Sequence, residues 1–116
     1  MINGLGIEKI YLWTQPIDFR KGIDGLQSLV VSQFGLKPFS GAIFIFRSRR
    51  ADRLKMVFWD GSGVVLVLKR LEDRPFTWPT PTGDALIISN SQFSALFEGI
   101  DWRQVFPRLT HTPTSL

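Results

Sequence analysis

The sequence predicts an α+β domain in which about four to six strands form a largely antiparallel sheet packed with two helices. Three observations carry this prediction. Apolar and alternating runs of strand length crowd between residues 42 and 71, apolar residues at helical spacing flank them on both sides, and Gly- and Pro-containing turn signals separate the runs. Clustered strands between helices favour α+β over a regular βαβ alternation. The 116 residues suit a single domain. We place it at residues 1–105 and expect residues 106–116 to form a flexible C-terminal tail, because the apolar signal thins beyond Trp102.

Taken in order, residues 7–13 (IEKIYLW) are rich in β-formers and read as a strand, broken by Thr14-Gln15-Pro16. Ile23, Leu26, Leu29, Val30 and Phe34 follow helical spacing, with Asp18 as the expected N-cap and Gly35 as the stop. Residues 42–46 (AIFIF) form a continuous apolar run, short enough for a strand buried on both faces. Residues 53–59 alternate. Leu54, Met56 and Phe58 share one face, and Arg53, Lys55, Val57 and Trp59 share the other. Asp60-Gly61-Ser62-Gly63 is a hairpin turn, and residues 64–71 return as its second strand. Residues 76–78 read as a short edge strand and residues 85–88 as the last strand. Ser89 with Gln92 makes a capping box for a helix carrying Phe93, Leu96 and Phe97, which Gly99 ends.

Composition removes several function classes. With no Cys, neither disulfides nor thiolate chemistry are available; a lone His cannot build a multi-His zinc site, and its place at 111, near the C-terminus, argues against a His-based triad. No cofactor fingerprint is present: there is no GxxxxGK loop and no dinucleotide motif. The longest apolar runs reach about a quarter of a membrane span. The first residues lack a basic segment followed by a long apolar stretch, so no secretion signal is expected and a cytoplasmic location is the default.

The charge is concentrated in one place. Residues 47–55 hold Arg47, Arg49, Arg50, Arg53 and Lys55 against Asp52, a local +4 that equals the net charge of the whole chain. Such a run reads either as a solvated loop or as the electrostatic footprint of a polyanion. Four of the five bases are Arg, whose forked guanidinium matches phosphate and guanine edges, which favours nucleic acid. Strands on either side anchor the loop. Trp59 shares a face with Arg53 and Lys55, and reads either as a cover on the sheet or as a stacking platform for an unpaired base.

Asp18-Phe19-Arg20-Lys21-Gly22 is a second basic cluster. If Asp18 caps the helix, Arg20 and Lys21 fall in its first turn, where cations oppose the helix dipole. A bound phosphate would reverse that penalty; otherwise both side chains point into water. A nuclease would need carboxylates converging on metal, and Asp18, Asp24, Asp52 and Asp60 show no such spacing. Asp18 reads as a cap, Asp60 as a turn residue and Asp52 as a partner of neighbouring Arg. No catalytic or metal-binding residue is assigned.

Residues 18–26, Asp-Phe-Arg-Lys-Gly-Ile-Asp-Gly-Leu, resemble the DxRKGxDGL segment of small accessory proteins from bacterial insertion sequences of the IS sixty-six group. These are the products of the second open reading frame. Further matching words follow in order: Pro38-Phe39-Ser40-Gly41, Phe44-Ile45-Phe46, Arg49-Arg50-Ala51-Asp52-Arg53-Leu54-Lys55, Trp59-Asp60-Gly61-Ser62-Gly63, Lys69-Arg70-Leu71-Glu72, Phe76-Thr77-Trp78-Pro79 and Glu98-Gly99-Ile100-Asp101-Trp102. The resemblance covers roughly residues 6 to 103. It departs mildly at Ser48 and Ala51, where the family often has Gly, and at Asn90, where it often has Pro. It implies an accessory of transposition encoded beside a larger transposase that carries the catalytic acids. The residues add a mechanism: a non-catalytic subunit binding DNA at element ends or target through Arg47, Arg49, Arg50, Arg53 and Lys55, with Arg20 and Lys21. The alternative is an adaptor that recruits or stabilises the transposase without touching DNA.

Overall fold

Strand β2 (Ile43–Arg47) opens with four consecutive apolar residues, which leave no polar face for water. It lies at the centre of the sheet, whose order is β4 (Val64–Arg70), β3 (Arg53–Trp59), β2, β1 (Ile10–Pro16) and β5 (Ala85–Ile88), and its first four residues are buried. The computed structural model describes residues 9–37, 40–83 and 85–105. The expected tail, the first residues of the expected first strand and the Pro38-Phe39 pair lie outside them.

Strand β1 (Ile10–Pro16) runs parallel to β2, pairing Ile10 with Ile43 and Leu12 with Ile45. A parallel neighbour needs a crossover, and helix α1 (Ile23–Leu29) with the wide π-turn that continues it (Val30–Phe34) supplies one. The remaining pairs are antiparallel: β2 with β3 (Arg53–Trp59), β3 with β4 (Val64–Arg70), and β1 with β5 (Ala85–Ile88). Helix α2 (Asn90–Phe97) and a 3₁₀ turn (Trp102–Gln104) follow. The mixed, mostly antiparallel sheet with two helices is the predicted α+β arrangement. No helix among the described residues is long and apolar enough to cross a membrane.

Both faces of the sheet are covered. On one, Phe34 of the π-turn sits among Tyr11, Trp13, Phe44 and Phe46, with ring centroids 5.2–5.8 Å apart. Leu26 and Val30 pack beside them. Gly35 ends the turn at φ +66°, the left-handed conformation for which glycine is suited. On the other face, Ile10, Leu12, Ile43, Ile45, Leu54, Met56 and Phe58 meet Leu96 of α2, Phe76 and Trp102. Alternation along β3 thus sends each residue to the face its parity predicts. Ser89 and Gln92 form the capping box of α2. At the other end of α2, the ammonium of Lys69 donates to the Phe97 carbonyl and Arg74 donates to the Gly99 carbonyl at 3.1 Å. Two cations thus complement the negative end of the helix dipole.

Three expectations need correction. Thr14-Gln15-Pro16 does not break β1. The strand passes through them with an irregular register after Leu12, and Thr14 is buried. Residues 76–78 are not an edge strand, because their polar groups are used elsewhere. Phe76 donates its N–H to the Ala51 carbonyl, the Thr77 carbonyl accepts from the Trp102 indole, and the Trp78 indole donates to the Trp13 carbonyl. Nor does Asp18 cap α1. The N-cap is Gly22, which has no side chain to offer, so Arg20 and Lys21 precede the helix instead of lying in its first turn.

Phe44 and Phe58 lie on opposite faces, each almost wholly buried. Phe44→Ala and Phe58→Ala are each expected to lose roughly 3–5 kcal/mol in urea unfolding, because each leaves a large cavity. In the β3–β4 turn, Asp60 accepts hydrogen bonds from Ser62 N, Gly63 N and Ser62 Oγ, which hold its carboxyl below its ordinary pKa. A depressed carboxylate stabilises the fold above its unfolded pKa of about 3.9, and that contribution is lost as pH falls through the folded value. The stability gap between the parent and Asp60→Asn should therefore shrink as urea titrations move from about pH 6 to about pH 2.

Candidate nucleic-acid interface

The basic loop at residues 48–52 joins β2 to β3, and backbone bonds fasten it from two sides. Ser48, buried, donates its N–H to the Arg53 carbonyl at 3.0 Å. Its Oγ accepts from Arg53 N at 3.1 Å and lies 3.0 Å from Asp52 Oδ1. Ala51 takes a left-handed conformation at φ +58°, which costs a residue with a Cβ about 1–2 kcal/mol. Its surroundings hold it there: its N–H donates to Ser48 O, and its carbonyl accepts from Phe76 N at 2.7 Å. The Asp52 carbonyl accepts from Leu71 N at 2.9 Å. The loop is a fixed platform, and Arg49 and Arg50 stand exposed at its tip.

The remaining bases of the run differ in how they are engaged. Arg47 turns back on the loop, with Nη1 donating to the carbonyls of Ser48 at 3.3 Å and Arg49 at 3.0 Å. Burial pushes its pKa down. Arg53 is exposed, lies 4.9 Å over the Phe19 ring and sits 3.9 Å from Asp52. Lys55 points from the same face into the 17–22 segment. Its Nζ donates to the carbonyls of Phe19 at 2.6 Å and Lys21 at 2.7 Å, and lies 4.6 Å over the Phe19 ring. Burial, then the charge of Arg53, lower its pKa, with Asp18 opposing. Lys55 therefore fixes the segment that carries Arg20 and Lys21.

Phe19, with both Arg53 and Lys55 over its ring, joins the two basic clusters on one side of the sheet. In the second cluster Arg20 grips Asp18 with two bonds, at 3.0 and 2.7 Å, and this holds the Asp18 carboxyl well below the usual carboxylate range. The Arg20 side chain is nonetheless 90% exposed. Trp59 sits apart. It is six residues along β3 from Arg53, about 20 Å at strand rise, and pairs with Val64. The fold therefore separates it from the loop.

One arginine escaped the sequence reading. The β3–β4 register places Arg70 directly opposite Arg53, so the two side chains leave the same face of the sheet side by side. With Ser48, Arg49, Arg50 and Asp52 they line an open cavity of about 310 Å³. The signal was present. The Asp60-Gly61-Ser62-Gly63 turn pairs Trp59 with Val64, and counting outward from that pair brings position 70 opposite 53. The acids are dispersed. Asp18 engages Arg20, Asp52 faces Ser48 and Arg53, Asp60 holds its turn and Asp24 is exposed on α1. Among the described residues no three His, Cys, Asp or Glu side chains converge as a metal site would require.

A family model described as "IS66 Orf2 like protein" matches residues 8–107. The uncharacterized protein y4jC of Sinorhizobium fredii is 43% identical over 108 residues, which span 93% of this chain and 92% of that protein. Another from the same organism, y4hO, is 38% identical with the same coverage. No solved structure matches the chain. With the family model spanning nearly all of the sequence and two relatives aligned almost end to end, the chain belongs to the IS66 Orf2-like family, which implies an accessory role in transposition of an insertion sequence.

Proposed function

We propose that this protein is a non-catalytic DNA-binding subunit that acts beside the transposase of its element. The observation that carries the reading is the arginine cup: Arg49, Arg50, Arg53 and Arg70 open on one cavity, the first two on a loop whose backbone is fixed and the other two on strands β3 and β4. Guanidinium groups present paired donors to phosphate oxygens, and a rigid mount spares them the ordering cost of a mobile loop. Arg20, exposed on the adjoining segment, extends the basic surface, with Lys21 beside it. Arg47 and Lys55 act as positioning residues, since their donors are turned toward backbone carbonyls. The dispersed carboxylates leave strand cleavage to the transposase.

The test is duplex binding by fluorescence anisotropy over a range of salt. Each phosphate neutralised contributes about −0.9 to the slope of log affinity against log salt. Arg49→Ala with Arg50→Ala should flatten that slope by roughly 2 and leave stability within about 0.5 kcal/mol, as for other exposed positions. Lys55→Met should instead act mainly on folding, lowering stability by about 1.5–3 kcal/mol for each charged hydrogen bond lost. A parent protein that ignores duplex DNA yet captures the transposase would establish the adaptor reading in place of this one.

A further inference from the structure

We infer that Arg70 is a phosphate-binding arm of the cup, held in the free protein by Glu72 and released to the DNA backbone when it binds. The inference rests on the DNA-binding reading above and adds to it a residue outside the basic loop and an exchange of partners.

The starting observation is a pairing that stability alone does not favour. Arg53 and Arg70 stand directly opposite across an antiparallel pair, where side chains are closest and like charges repel. Each is matched to an acid two positions or fewer away in sequence. Arg53 lies 3.9 Å from Asp52, and Arg70 Nε donates to Glu72 Oε2 at 3.0 Å. Both carboxylates sit beside the arginines as stand-ins for an anion. The Arg70–Glu72 pair is well exposed on both sides, at 63% and 70%, so water and salt weaken it. The geometry is that of a site whose positive charge is too dense to stand alone and whose resident counter-charge is held loosely.

The same geometry favours DNA over an acidic peptide. A partner carboxylate would offer Arg70 the group it already has, against a Glu72 tethered two residues away at high effective concentration. A DNA backbone instead presents successive phosphates to Arg49, Arg50, Arg53 and Arg70 together. Its binding is also driven by release of condensed counterions, which an intramolecular carboxylate cannot match. Glu72 then acts as a place-holder that yields to a polyanion but not to a single weak anion.

Anisotropy titrations of duplex DNA with the full chain test this. Arg70→Ala should flatten the salt slope by about 0.9, the share of one phosphate. Glu72→Gln should raise affinity by about two- to five-fold, the worth of one exposed ion pair no longer in competition. In the Arg70→Ala background Glu72→Gln should bring no gain, because its effect runs through Arg70. If the gain persists there, Glu72 acts only through general charge and the exchange is wrong. If Arg49→Ala and Arg50→Ala flatten the slope while Arg70→Ala does not, the loop binds DNA and the inference about Arg70 fails alone. If a polyglutamate peptide binds as tightly as DNA with the same Arg70 dependence, the ligand assignment is overturned. A parent protein without affinity for duplex DNA sinks both readings together.

Discussion

The requirement that β2 be covered on both faces organises this molecule. Ile43 and Ile45 point one way, Phe44 and Phe46 the other, and none can be left against water at an acceptable cost. A sheet with one solvated face could have been a plain antiparallel meander. Two apolar faces demand two covering layers, so the chain crosses one face early, with α1 and its π-turn, and returns over the other late, with the 71–78 segment, α2 and Trp102. The parallel β1–β2 pair is a consequence of the early crossing. So is the placement of β1 inside the sheet, with β5 at the edge beyond it.

The basic surface depends on that frame through the ends of β2 and β3. Because both strands are locked in register by buried partners, the loop between them cannot slide, and Arg49 and Arg50 are held at its tip. The late-returning segment adds a second hold, through Leu71 and Phe76 onto the carbonyls of Asp52 and Ala51. These two bonds link the covering of one face to the shape of the loop. A left-handed Ala51 persists in that setting because both of its neighbouring polar groups and its methyl group are already engaged.

Much of this was legible in the sequence because it is local. The alternation of β3, the capping box of Ser89 and Gln92, the Asp60 turn and the Gly35 stop each depend on residues within one turn or one strand. What escaped reading depends on distance. Asp18 has the chemistry of a cap, but its carboxylate is satisfied by Arg20, and the segment's carbonyls are claimed by Lys55 from more than thirty positions away. Residues 76–78 have strand composition, yet their partners are Ala51, Trp13 and Trp102, none of which is a neighbouring strand's ladder. The cup was half visible, since the loop arginines form one run while Arg70 joins them only through sheet register. Trp59 shares a face with Arg53 by parity, but parity says nothing about the length of strand between them.

The late return over one face also sets an order of events during synthesis. Once Arg70 has left the ribosome, β1 to β4 and the α1 layer can assemble, and the aromatic cluster around Phe34 can close. The opposite face, with Leu12, Ile43, Ile45, Leu54, Met56 and Phe58, has to wait for Phe76, Leu96 and Trp102. Until those residues have followed it out of the ribosome, the nascent chain carries an apolar sheet face open to solvent, the kind of surface on which chaperones act and chains stick to one another. The topology that buries β2 so completely at the end therefore leaves it half bare until nearly the last element is made.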